Sequence, residues 1–106
     1  METKKVAFKM YLKPCFKEEY KKRHDEIWPE LNQLLVGAGI FDYSIFLDEE
    51  TNVLYGVQKI QGDGNSQDLG STVIVQKWWA YMADIMETNP DNSPISKPLV
   101  EVFYME

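Results

Sequence analysis

The chain has 106 residues, 44% of them hydrophobic and 26% charged, and a net charge of −6. That length predicts a single domain spanning residues 1–106 with an ordinary globular core. The acidic balance argues against nucleic acid, whose phosphates call for clustered Lys and Arg, and no stretch approaches the roughly 18 apolar residues of a membrane span.

A lone Cys15 rules out an internal disulfide framework and suits a reducing compartment. The first residues lack the apolar core and cleavage site of a signal peptide, so a soluble cytoplasmic protein is expected. Aromatic residues make up 13% of the chain, which fits a compact core, an aromatic-lined pocket or a dimer interface.

Residues 5–12 alternate loosely in Val, Phe, Met and Tyr and read as a first strand, closed by Pro14. A helix is expected over residues 16–36, with Gly37 and Gly39 as its stop and Pro29 kinking it or starting a new turn. At roughly 100° per residue, Phe16, Tyr20, His24, Ile27, Trp28, Leu31, Leu34 and Leu35 fall within an arc of roughly 120°. Apart from Lys17, the helix's charged residues lie outside that arc, and Lys21, Lys22 and Arg23 read as a solvated face. Residues 41–48 form a strand with Tyr43, Ile45 and Leu47 on one face, and the polar turn 48–52 leads into a returning strand over 53–60. Residues 62–66 read as a loop, residues 72–86 as a second helix carrying Trp78 and Trp79, residues 89–94 as a rigid polar loop, and residues 99–104 as a last strand.

Strand, helix, strand, strand, helix, strand is the order of the ferredoxin-like split βαβ motif. It predicts an α+β fold with an antiparallel four-stranded sheet and both helices on one face. The other face then needs a cover, and pairing of two sheets in a homodimer supplies one.

His24 is the only histidine and the first candidate for proton transfer near neutral pH. Tyr20 lies one helical turn before it and Trp28 one turn after, so a phenol, an imidazole and an indole share one stripe. Such polar groups on a buried stripe also suit a hydrogen-bonded core role. One histidine and one cysteine leave only carboxylates to complete a metal shell, so no metal site is expected. Cys15 stands nine residues from His24, too far along a helix for a nucleophilic pair. Trp78 and Trp79 point about 100° apart, which lets one face the core while the other lines an edge.

The segments Tyr20-Lys-Lys-Arg-His24-Asp-Glu-Ile-Trp28-Pro29-Glu30-Leu31, Tyr43-Ser-Ile-Phe-Leu-Asp48, Gln76-Lys-Trp78-Trp79-Ala-Tyr81-Met82, Asn89-Pro-Asp-Asn-Ser-Pro94 and Glu101-Val-Phe-Tyr104 together resemble the L-rhamnose mutarotases over essentially the whole chain. The resemblance implies a homodimeric α+β barrel that interconverts the α and β anomers of L-rhamnose in support of rhamnose catabolism. It places the proton donor on His24 and substrate binding on Tyr20, Tyr43, Trp78 and Trp79. No cofactor, metal or covalent intermediate is called for, because anomer exchange needs only ring opening, rotation about C1–C2 and reclosure. The chain departs from the family pattern in the glycine-rich residues 62–70 and at Val73 and Val75, which bears on the start of the second helix and the pocket rim. The competing reading is a dimeric α+β barrel that binds a small ligand without turning it over.

Overall fold

Strand β1 (Thr3–Tyr11) alternates sides, which buries Phe8 and Met10 on one face and leaves Lys5 and Lys9 on the other. The structure, a computed structural model, describes residues 3–61, 69 and 72–106. Strands β2 (Ile40–Asp48) and β3 (Val53–Gln61) form a hairpin. Its turn closes through the Asn52 N–H, which donates to the Asp48 carbonyl at 2.8 Å, while the Asp48 carboxylate accepts from the Glu50 N–H at 3.0 Å. β1 pairs antiparallel with β3 from Thr3 opposite Gln61 to Tyr11 opposite Val53. With β4 (Lys97–Leu99) on the far side of β1, the strand order is β2-β3-β1-β4, all antiparallel, as the ferredoxin-like motif requires.

Two irregularities shape the inner face. Gly56 lies opposite Phe8, and a Cβ there would stand 2.7 Å from the Phe8 ring, so the glycine is what lets the ring lie across β3. In β2 the pairing slips between Phe41 and Ser44, and Asp42 takes a positive φ of 48°. This bulge inserts one residue, so Ile40 and Tyr43 share the inner face despite their odd spacing, followed by Ile45 and Leu47.

The helices differ from expectation in their limits. Instead of one helix over residues 16–36 there are two, α1 (Lys17–Asp25) and α2 (Pro29–Gly37). Pro29 has no N–H to continue α1 and drives Trp28 to an extended ψ of 130°, so it opens a new helix at its first position. Helix α3 (Val73–Met82) ends four residues before the expected limit of 86. There Ile85 and Met86 are buried alongside the end of β1, where the Lys13 N–H donates to the Ile85 carbonyl at 2.9 Å and the Glu87 N–H to the Tyr11 carbonyl at 3.0 Å. Pairing with β1 outcompetes a further helical turn.

The last strand was expected over residues 99–104, but β4 stops at Leu99 and residues 100–106 carry no regular structure. The tail leaves the ladder with Val100, Val102, Phe103 and Met105 exposed. The expected loop at 62–66 and the family departure at 62–70 lie outside the described residues, apart from Leu69. Of the two departing valines, Val73 is exposed at the start of α3 and Val75 is buried.

The core joins Phe8, Met10, Leu12 and Leu54 from the sheet to Tyr20 of α1 and to Met82, Ile85 and Met86 at and beyond the end of α3. Among the described residues no helix is long and apolar enough to cross a membrane.

Candidate active site

Tyr20 and His24 occupy successive turns of α1, and their rings stack with centroids 4.2 Å apart. The Nδ1 atom of His24 lies 3.0 Å from the Tyr20 backbone carbonyl. A carbonyl only accepts, so Nδ1 carries the hydrogen and donates it; in the neutral ring Nε2 is then the free acceptor. Burial lowers the His24 pKa below 6.5, against the opposing effects of the Tyr20 carbonyl and the nearby Asp25 charge. The imidazole is therefore neutral at pH 7. Tyr20 is almost fully buried, and desolvation followed by the neighbouring Tyr43 pushes its phenol well above the ordinary range, fixing it as a neutral hydroxyl.

Helix α3 supplies the adjoining wall. The Trp78 ring stands edge-on to His24 at 5.4 Å and perpendicular to Trp28 at 5.1 Å. Tyr81 packs 5.5 Å from Trp28 and 5.7 Å from Trp78, completing a five-ring cluster in which His24 lies between Tyr20 and Trp78. The bulge in β2 brings Tyr43 to the inner face, where its ring meets Phe8 at 6.2 Å. All five residues singled out by the sequence (Tyr20, His24, Tyr43, Trp78 and Trp79) line one cavity of about 880 Å³ between the sheet and the helices. That volume falls within the range of small-molecule sites. Leu54 and Ile45 contribute from the sheet, Leu31 and Leu35 from α2, and Thr88 and Asn92 from the segment after α3.

Arg23 does not lie on a solvated face as the Lys21-Lys22-Arg23 run suggested, and its side chain is only 10% exposed. Its Nε donates to Glu19 at 2.7 Å, and its Nη1 donates to the Tyr81 carbonyl at 2.8 Å and to Asp84 at 2.9 Å. The guanidinium also lies 4.4 Å above the Tyr81 ring centroid. The fork thus ties the helix that carries His24 to the end of α3. Sequence spacing gave no signal for this, because Asp84 and Tyr81 lie about 60 residues away. Cys15 is an exposed free thiol outside the cavity lining. Among the described residues no group of three or more His, Cys, Asp and Glu is placed to hold a metal ion.

A ferredoxin-like α+β protein with a neutral imidazole set into an aromatic-walled cavity has the form of a small-ligand site equipped with a titratable group. Similarity to known proteins narrows that class. The sequence profile of the L-rhamnose mutarotase family matches residues 5–105. An L-rhamnose mutarotase from Bacteroides thetaiotaomicron is 65% identical over 103 residues, covering 97% of this chain and 99% of the relative. One from Phocaeicola vulgatus is 59% identical over 103 residues, with the same coverage of 97% and 99%. The crystal structure of an L-rhamnose mutarotase from Formosa agariphila superposes with a TM-score of 0.90 at 57% identity, covering 97% of this chain and 99% of that one. The chain belongs to the L-rhamnose mutarotase family.

Proposed function

We propose that this protein is an L-rhamnose mutarotase, an isomerase that interconverts the α and β anomers of L-rhamnose in support of rhamnose catabolism. The observation that carries the reading is the neutral His24, with its Nδ1 hydrogen tied to the Tyr20 carbonyl and its Nε2 free, in a cavity of sugar-binding size. Family membership along almost the whole chain supports the choice of sugar.

Anomer exchange needs a group that can take and return a proton at the C1 oxygen. Neutral His24 removes the C1 hydroxyl proton at Nε2 as the C1–O5 bond breaks, while O5 gains a proton from water or a neighbouring hydroxyl. The aldehyde turns about C1–C2. When O5 attacks the opposite face, the imidazolium returns its proton to the C1 oxygen and O5 gives its own back to the group that supplied it. His24 is thus base in opening and acid in closure, and the proton count balances. The Tyr20 carbonyl, accepting from Nδ1, steadies the imidazolium between the two steps. Tyr20, held as a neutral phenol, and Tyr43 orient hydroxyls, and Trp78 and Trp79 cover the apolar face of the ring and its methyl group. No cofactor enters the scheme.

The subunit is a single domain that pairs as a homodimer. Support for pairing comes from the apolar side chains left exposed on the sheet and tail, among them Phe46, Leu99, Val102 and Phe103. The single free thiol is the ground for assigning the protein to the cytoplasm. Polarimetry tests the activity: catalytic amounts of protein added to freshly dissolved crystalline L-rhamnose should bring the rotation to its equilibrium value faster than buffer alone, and an unchanged rate would refute it.

A further inference from the structure

Asn92 lines the same cavity as His24, from the segment between α3 and β4. Its φ of 71° lies in the left-handed region, where a glycine would sit without steric cost. Asparagine also takes this conformation readily, and unlike glycine it brings an amide.

The surrounding loop fixes the Asn92 backbone in place. Asn89 Nδ2 donates to Ser93 Oγ at 3.0 Å, Ser93 Oγ donates to the Asp91 carboxylate, and the Ser93 N–H donates to the same carboxylate at 3.0 Å. The backbone closes through the Asn89 N–H to the Ser93 carbonyl at 2.8 Å and the Asn92 N–H to the Asn89 carbonyl at 2.9 Å. A bridge between Thr88 and Pro94 closes the base of the loop. The Ser93 hydroxyl and N–H hold the Asp91 carboxyl below its usual range, so this lattice is intact at neutral pH. Asn89, Asp91 and Ser93 are all engaged inside the loop, whereas the Asn92 amide has no hydrogen-bond partner among the described residues.

From this we infer that Asn92 is a sugar-binding residue, its amide donating to and accepting from ring hydroxyls at the polar side of the cavity, and that residues 89–94 form a preorganised loop that presents it. The inference rests on the mutarotase reading. The chemistry fits the cavity: aromatic rings serve the apolar face of a pyranose, while its hydroxyl rim needs a group that both donates and accepts in one plane, as an amide does. A loop ordered before the ligand arrives adds no ordering penalty on binding.

The test uses the full chain carrying Asn92→Gly, which keeps the left-handed backbone, and Asn92→Asp, which keeps the acceptor and loses the donor. Exchange kinetics are measured by NMR on L-rhamnose and on its 2-, 3- and 4-deoxy analogues. Asn92→Gly should raise KM for L-rhamnose about 3–10-fold, more than it lowers kcat. That penalty should vanish for the analogue lacking the contacted hydroxyl, and Asn92→Asp should fall between wild type and Asn92→Gly. A wild-type KM in Asn92→Gly, or an equal penalty on every sugar, overturns the contact. Absence of exchange by the wild type would instead overturn the mutarotase reading and the contact with it.

Discussion

The Nδ1 atom of His24 lies 3.0 Å from the carbonyl of Tyr20, one turn earlier on the same helix, and the two rings stack 4.2 Å apart. One residue therefore fixes both the tautomer and the orientation of the imidazole, and the helix supplies the spacing without help from any distant segment.

This relationship sets a pH dependence. Burial holds the folded His24 below 6.5, the value expected in the unfolded chain. Between the two values the unfolded chain binds more protons, so stability rises with pH across that window. It is fully present above about 6.5 and declines as pH falls toward the folded value. His24 is the only histidine, so its ring resonances need no assignment by mutation. An NMR titration should place its midpoint below 6.5, and a midpoint above that value would contradict the account of the site.

Arg23→Lys keeps the charge and loses the fork that joins Glu19, Asp84 and the Tyr81 carbonyl. The substitution should lower stability by about 1–2 kcal/mol, since the Arg23 side chain is largely covered but Asp84 is largely solvated. Chemical denaturation measures this directly. An unchanged midpoint would mean that the ion pairs do not hold α1 to α3.

Gly56→Ala places a methyl group 2.7 Å from the buried Phe8 ring, which also meets Tyr43. Overpacking of this kind should cost about 1–3 kcal/mol. Thermal unfolding reads the loss, and the displaced Phe8 should also disturb Tyr43, weakening sugar binding in the same variant.

Phe46 is 64% exposed on the side of the sheet opposite the helices, and Leu99 and the tail add further apolar surface. Sedimentation velocity should find a dimer for the wild type. Phe46→Glu should shift it toward monomer by placing a charge in the contact. A wild-type monomer would contradict the proposed homodimer.

The strand order and the Tyr20–His24 pair were legible in the sequence; Trp28, expected one turn further along the same stripe, stands outside α1 and reaches His24 only through Trp78. Pro29 was read as a kink or the start of a new turn within one helix; the pre-proline residue Trp28 takes an extended conformation, so the helix splits in two there. The end of α3 could not be read locally, because Ile85 and Met86 are drawn out by pairing with β1 more than 70 residues earlier. The same limit hid Arg23, whose partners are set by tertiary packing. The bulge at Asp42 was also out of reach, since the strand pattern from Tyr43 onward is regular and only Ile40, one step out of phase, reveals the extra residue. Residues 99–104 were read as the last strand from their apolar and aromatic content, yet no ladder within the described chain accepts them beyond Leu99.

The central claim is that His24 carries the proton. Saturation-transfer NMR on L-rhamnose, run with wild type and His24→Ala at matched concentration, tests it most directly. The wild type should transfer saturation between the two anomeric resonances, and His24→Ala, with an unchanged circular dichroism spectrum, should lower the exchange rate by about 10²-fold or more. Wild-type exchange in a folded His24→Ala variant would contradict the assignment.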